Sequence, residues 1–200
     1  MLARSSNICS YCLNVIGTSR SDAWKKERFV DRLRAMAGFV ERLPAGSIVL
    51  HVDGFDVLFN APPSAVAKHM ADSGMGVIFS AEKGCSAAKI KVVLEGDTSC
   101  DPAWPVPHMP TSMPFLNAGV WMGYKEEVLR MLKMALVEVT DAKKYAARVG
   151  SQITYMNMGD QTLLSELFTR GWDEEGGGAM RDTLNIDIDY KSRSFLSLFG

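Results

Sequence analysis

The chain has 200 residues, 47% of them hydrophobic and 22% charged, with a formal net charge of −1. That length fits one domain, taken as residues 1–200, with room for a sizeable core. The charge balance excludes an electrostatic case for nucleic acid or for an anionic membrane surface. No apolar run approaches the roughly 20 residues that span a bilayer, so no transmembrane segment is expected. Met1–Gly17 lacks the continuous apolar core, about 7–15 residues long, of a signal peptide.

In chain order, Asp22 is placed to cap a helix through Trp24, Phe29, Val30, Leu33, Met36, Ala37 and Val40, with its charges on the other face. Ser47–Val52 follows a Pro-Ala-Gly turn and is short and mostly apolar, the pattern of a buried, central strand. Ser64 starts a short helix with Val66, Met70 and Ala71 inward. Gly76–Ser80 has the composition of a second buried strand. Glu82–Pro114 is irregular and rich in Pro, Gly and Cys, and a loop of that length usually binds something. Phe115–Gly123 returns to strand character, and Lys125–Val139 has the spacing of a helix with Val128, Met131, Leu132, Ala135 and Leu136 on one face. Asp160 is an N-cap candidate for a helix to Phe168, and Thr183–Ile188 has the pattern of a closing strand. Strands alternating with helices predict an α/β layer structure.

The candidate chemistry lies after the strand at 47–52. Asp53 and Asp56 are three apart at its carboxyl end, and Gly54 permits a sharp bend. Open α/β sheets bind ligands at such ends. Hard divalent cations take oxygen ligands, so this pair could hold Mg²⁺ or Mn²⁺ against a substrate phosphate. A bare Asp-x-x-Asp carries little information, and the plainer reading is an Asp-rich turn capping the helix near Pro62-Pro63. A dehalogenase-type phosphatase would need carboxylates two apart. Glu82 lies at the end of the second strand, where either a site role or a loop salt bridge is open. Asn117 in an apolar strand needs a hydrogen-bonding partner, in a site or in the core. His51 fits a hydrogen-bonded core histidine. Asp187 and Asp189 share one strand face and read as solvated or cap-forming. Cys9-x-x-Cys12 has the spacing of a zinc or redox pair, but Cys85 and Cys100, fifteen apart, do not supply the second close pair a zinc centre needs.

Five segments in order resemble the glycosyltransferase domain of the procollagen lysyl hydroxylases and related collagen glycosyltransferases. They are Trp24-Lys25-Lys26-Glu27, Val52-Asp53-Gly54-Phe55-Asp56-Val57, Phe79-Ser80-Ala81-Glu82 with Cys85, Phe115-Leu116-Asn117-Ala118-Gly119, and Asp160-Gln161 with the distal tract from Leu184 to Phe195. The resemblance spans about 24–200. It implies a GT-A fold, Rossmann-like with a mixed central sheet, that uses Mn²⁺ (or Mg²⁺) and a UDP-sugar. The implied donor is UDP-glucose or UDP-galactose. The implied acceptor is a hydroxylysine of a collagen-like protein, and the implied location is the endoplasmic reticulum or secretory pathway. By the same resemblance Asp53 and Asp56 are metal ligands, and Phe55 replaces an aromatic residue that stacks on uracil. Asn117 lies by the donor sugar, and Asp160 orients or deprotonates the acceptor hydroxyl; Glu82 is assigned to the donor site by its place at a strand's carboxyl end.

The sequence departs from that family at three places. Met156-Asn157-Met158-Gly159 replaces an acidic run, leaving Asp160 alone. The family's third metal ligand, a histidine, would follow the point where this chain stops, and His51, His69 and His108 are in the wrong places for it. The family's first nucleotide-binding strand would precede residue 10. The expectation is a fragment incomplete at both ends. A catalytically inactive relative, kept as a binding or scaffolding module, is equally compatible with these gaps.

Overall fold

The computed structural model describes residues 12–14, 16, 29–53, 59–84, 113–149, 159–169, 184–193 and 195. Within these lie four helices and four strands: α1 (Phe29–Glu41), β1 (Ile48–Val52), α2 (Pro63–Ser73), β2 (Val77–Glu82), β3 (Phe115–Tyr124), α3 (Lys125–Val149), α4 (Gly159–Thr169) and β4 (Ile186–Ile188). The strands form one sheet in the order β1-β3-β2-β4. β3 is antiparallel to both β1 and β2, whereas β4 runs parallel to β2. β1 and β2 therefore point the same way, and their carboxyl ends meet the amino half of β3 at one pole.

The strands sort their side chains to two faces. Val77, Phe79, Ala81, Leu116, Ala118 and Trp121 pack with α1, α3 and α4. Ile78 and Met122 pack with Met70 of α2, Phe195 and the half-buried Ile48, Leu50 and Val120. The sheet is thus the middle of three layers. α1 contributes Val30, Leu33, Ala37 and Val40, and α3 contributes Val128, Met131, Leu132, Ala135 and Val139. Both sets follow the i, i+3, i+4, i+7 spacing of a core-facing stripe. Each large side chain so buried stabilises the fold by about 1.5–3 kcal/mol relative to exposure. Met70, Met122 and Met131 are among the largest fully buried residues, the core-filling use expected of the methionines.

Several boundaries differ from the sequence expectation. β1 is half-buried along its whole length and lies at the sheet edge among the described residues, rather than at its centre. β2 continues through Ala81 and Glu82 because these pair with Leu116 and Phe115. α3 runs on to Val149, since the tract after Val139 has good helix formers and no Gly or Pro to stop it. Asp160 falls in the first turn of α4 rather than at its cap, with Gly159 as the first residue. Asp189 is buried and caps a turn, its carboxylate accepting the N–H groups of Arg193 (2.9 Å) and Phe195 (3.2 Å). The Asp22 cap and the Cys9, Cys85 and Cys100 positions lie outside the described residues.

Two glycines make opposite predictions. A Cβ on Gly76 would come 2.6 Å from the Leu184 carbonyl oxygen and 2.8 Å from Glu127 Cγ. On Gly38, inside α1, it would meet nothing nearer than Arg42 Nη1 at 3.8 Å. Gly76→Ala is expected to cost about 1–3 kcal/mol by overpacking, and Gly38→Ala to add about 0.5–1 kcal/mol by helix propensity. Urea unfolding of the two variants checks both signs.

Candidate functional site

The pole where β1 and β2 end is shaped by an irregularity in β3. Phe79 pairs with Trp121, but the next residue, Ser80, pairs with Asn117. Ala118, Gly119 and Val120 are therefore extra on β3, and the ladder to β2 lapses across them. β1 stays paired through Val52–Val120, and the Asp53 N–H donates to the Gly119 carbonyl at 2.8 Å.

Side chains bond the backbone in and beside that lapse. Gln161, in the first turn of α4, accepts the Ala118 N–H on Oε1 at 2.6 Å and donates from Nε2 to the Leu116 carbonyl. The same Nε2 donates to Glu82 Oε1 at 2.9 Å. Asn117 Nδ2 donates to the other carboxylate oxygen of Glu82 at 3.0 Å, and Asn117 Oδ1 accepts the Gly119 N–H at 2.8 Å. From sequence, Asn117 and Glu82 are each open between a site role and a structural one. The structure joins them to each other and to Gln161.

Asp53 lies exposed at the end of β1. A Cβ on Gly119 would stand 2.8 Å from Asp53 Oδ2 and 3.1 Å from Asn117 Oδ1, so glycine is what leaves room for both side chains. Two further residues of the predicted donor and metal site, Phe55 and Asp56, lie outside the described residues. Among the described residues no group of three or more His, Cys, Asp or Glu side chains is placed to hold a metal. Asp160 faces a different set of partners from the Glu82 cluster. Its carboxylate accepts the N–H of Gln161 at 3.1 Å and lies 3.5 Å from Arg32 Nη2 of α1. That ion pair is partly exposed and is worth little on its own.

Two titrating groups are displaced. Desolvation pushes the Glu82 pKa up from 4.5 to about 7, against the lowering effect of the Asn117 hydrogen bond. His51 stacks on Trp121, with ring centroids 4.8 Å apart. Desolvation lowers its pKa to about 4; the Asp160 carboxylate opposes that shift and the Arg32 guanidinium reinforces it. His51 is thus a packed, neutral histidine on the α1/α4 side of the sheet.

Gln161 lies in one of the segments that carry the family resemblance, yet sequence reasoning does not single it out. A glutamine in the first turn of a helix looks like ordinary solvated polarity. Its role follows from the lapse in β3, which strand periodicity does not reveal.

The mixed sheet between layers of helices is consistent with a GT-A-type glycosyltransferase fold. The sequence model of the PLOD GT domain matches residues 2–149, and the chain belongs to that family. It is 26% identical over 173 residues to a multifunctional procollagen lysine hydroxylase and glycosyltransferase of Caenorhabditis elegans, a match covering 84% of this chain and 19% of that protein. It is 25% identical over 157 residues to the human multifunctional procollagen lysine hydroxylase and glycosyltransferase LH3, covering 76% of this chain and 16% of that one. The chain therefore spans under a fifth of the length of these relatives. No helix among the described residues is long and apolar enough to cross a membrane.

The raised pKa of Glu82 sets a pH dependence. Its folded value lies above the unfolded one, so its stabilising contribution is full below about pH 4.5 and is lost as pH rises through about 7. Glu82→Gln removes that dependence. The melting temperature of the variant, relative to the parent, is expected to rise steadily between about pH 4.5 and 7.5. Thermal unfolding across that range measures the difference, and a constant difference would contradict the assignment.

Proposed function

We propose that this chain is the sugar-nucleotide-binding part of a metal-dependent glycosyltransferase. The donor is UDP-glucose or UDP-galactose, and the acceptor is a hydroxylysine-type residue in a collagen-like protein. The observation that carries the reading is Asp53 at the carboxyl end of β1, over a glycine that leaves space beside it and next to the Glu82–Asn117 pair. The family membership and the names of the relatives support the collagen-modifying class. A collagen-like acceptor is a secreted protein, so the secretory pathway is the proposed location.

The donor chemistry at this pole fits a hard cation, since the groups on offer are carboxylate oxygens. Asp53 would hold Mn²⁺ (or Mg²⁺) together with Asp56, and the bound ion would supply Lewis-acid neutralisation of the charge on the departing UDP. Phe55 is assigned to the face of the uracil ring. Asn117, its oxygen fixed by Gly119 and its amide by Glu82, presents a rigid polar edge on β3 beside the donor sugar. Glu82, with a pKa near 7, can hold or release a proton at neutral pH. Asp160, at the start of α4 with its carboxylate partly exposed, is assigned to orienting the acceptor hydroxyl.

A second reading, an inactive relative kept as a binding or scaffolding module, draws on the tying of Asn117 and Asp160 into bonds within the protein. A UDP-release assay separates the two. Mn²⁺-dependent release from UDP-glucose or UDP-galactose is expected, falling at least about 100-fold in Asp53→Ala. Asp31→Ala, on the exposed face of α1, is expected to leave it unchanged. Absence of turnover and of Mn²⁺-dependent nucleotide binding would support the module.

A further inference from the structure

We propose that Gln161 is a positioning residue for this pole: its carboxamide stands in for the lapsed strand ladder and through it holds Glu82 and Asn117 in one arrangement. The proposal rests on the glycosyltransferase reading only for what the pole binds; the geometry is independent of it.

A strand that loses its neighbour exposes alternating N–H and C=O groups, and such groups cost about 1–3 kcal/mol each if buried without a partner. Ala118 lies within the lapse, and Leu116, two residues before it and facing the same edge of β3, lies where the ladder to β2 has resumed opposite Ala81. A carboxamide carries an acceptor oxygen and two donor protons, the pairing capacity of a peptide unit with one proton to spare. Gln161 uses all of it. The oxygen takes the Ala118 N–H, one proton goes to the Leu116 carbonyl and the other to Glu82. Rotating the amide by half a turn would set donor against donor and acceptor against carboxylate, so the network admits one orientation.

The consequence reaches across the sheet. Gln161 fixes one oxygen of Glu82, Asn117 fixes the other, and Asn117 in turn fixes the Gly119 N–H. The Gly119 carbonyl accepts the backbone N–H of Asp53, and Gly119 lies under the Asp53 carboxylate. A continuous chain of bonds therefore links the first turn of α4 to the predicted metal-binding end of β1. A displacement of about 1 Å at a reacting centre can cost on the order of 100-fold in rate, so such bracing matters to catalysis.

Two measurements on the 200-residue chain test this. The first needs no substitution. The side-chain amide of Gln161, followed by ¹⁵N–¹H NMR across about pH 5–9, is expected to titrate with the same midpoint as the Glu82 carboxyl carbon. Independent behaviour of the two would overturn the proposal. The second compares Gln161→Met, which keeps length and removes both bonding functions, with the parent. The Glu82 midpoint is expected to rise by about one unit, because its carboxylate loses a donor, and kcat/KM for the UDP-sugar to fall about 100-fold. An unmoved midpoint, or kinetics like the parent's in the folded variant, would overturn the proposal. If the parent itself releases no UDP, the transferase reading fails. The NMR midpoints then decide the positioning role alone, a joint shift supporting it and no shift overturning it.

Discussion

The pole of this fold depends on a mismatch between two paired strands. β3 spends three residues, Ala118 to Val120, where β2 spends none between Phe79 and Ser80. The backbone of β3 must then find other partners at the point where the carboxyl ends of β1 and β2 converge. It finds them in polar side chains, and those side chains are Gln161 and Asn117. A regular ladder here would have left Glu82 facing a strand edge already satisfied. The lapse instead recruits an acid and two amides to one place.

That recruitment separates the environments of two carboxylates. Asp53 stays exposed beside Gly119, whereas Glu82 is drawn under the amides of Asn117 and Gln161 and desolvated. Groups held in contrasting surroundings can take different chemical tasks. An exposed carboxylate suits a hard cation and its anionic partner. A carboxyl group near its titration point at neutral pH suits proton transfer or a hydrogen bond to a sugar hydroxyl. Behind both, His51 packs flat on Trp121 and forms part of the wall between the sheet and helices α1 and α4.

Much of this was legible in the sequence. The apolar spacing of Val30, Leu33, Ala37 and Val40 marks α1, and Val128 to Val139 mark the core face of α3, because helical periodicity records burial directly. The placing of Asp53 at a strand end was also readable, since an apolar β-branched run that stops at carboxylates and a glycine marks where a strand leaves the sheet. The edge position of β1 among the described residues was not, because strand order is decided by which segments meet and not by the composition of any one. The partnership of Glu82, Asn117 and Gln161 was hidden for a related reason. Asn117 and Gln161 lie 35 and 79 positions from Glu82 in sequence, and only the slipped register brings them to it. Asp189 was readable in part: a capping role was one of the two open to it, and its carboxylate closes the turn after β4.

The end of β1 is the proposed meeting place of the chain with a sugar nucleotide and its metal. A crystal structure of the chain grown with UDP and Mn²⁺ tests this most directly. A manganese ion coordinated by the Asp53 carboxylate is expected, with the diphosphate on the side away from Gly119. Nucleotide or manganese density at another place on the molecule, or none at this pole at saturating concentrations, would contradict it.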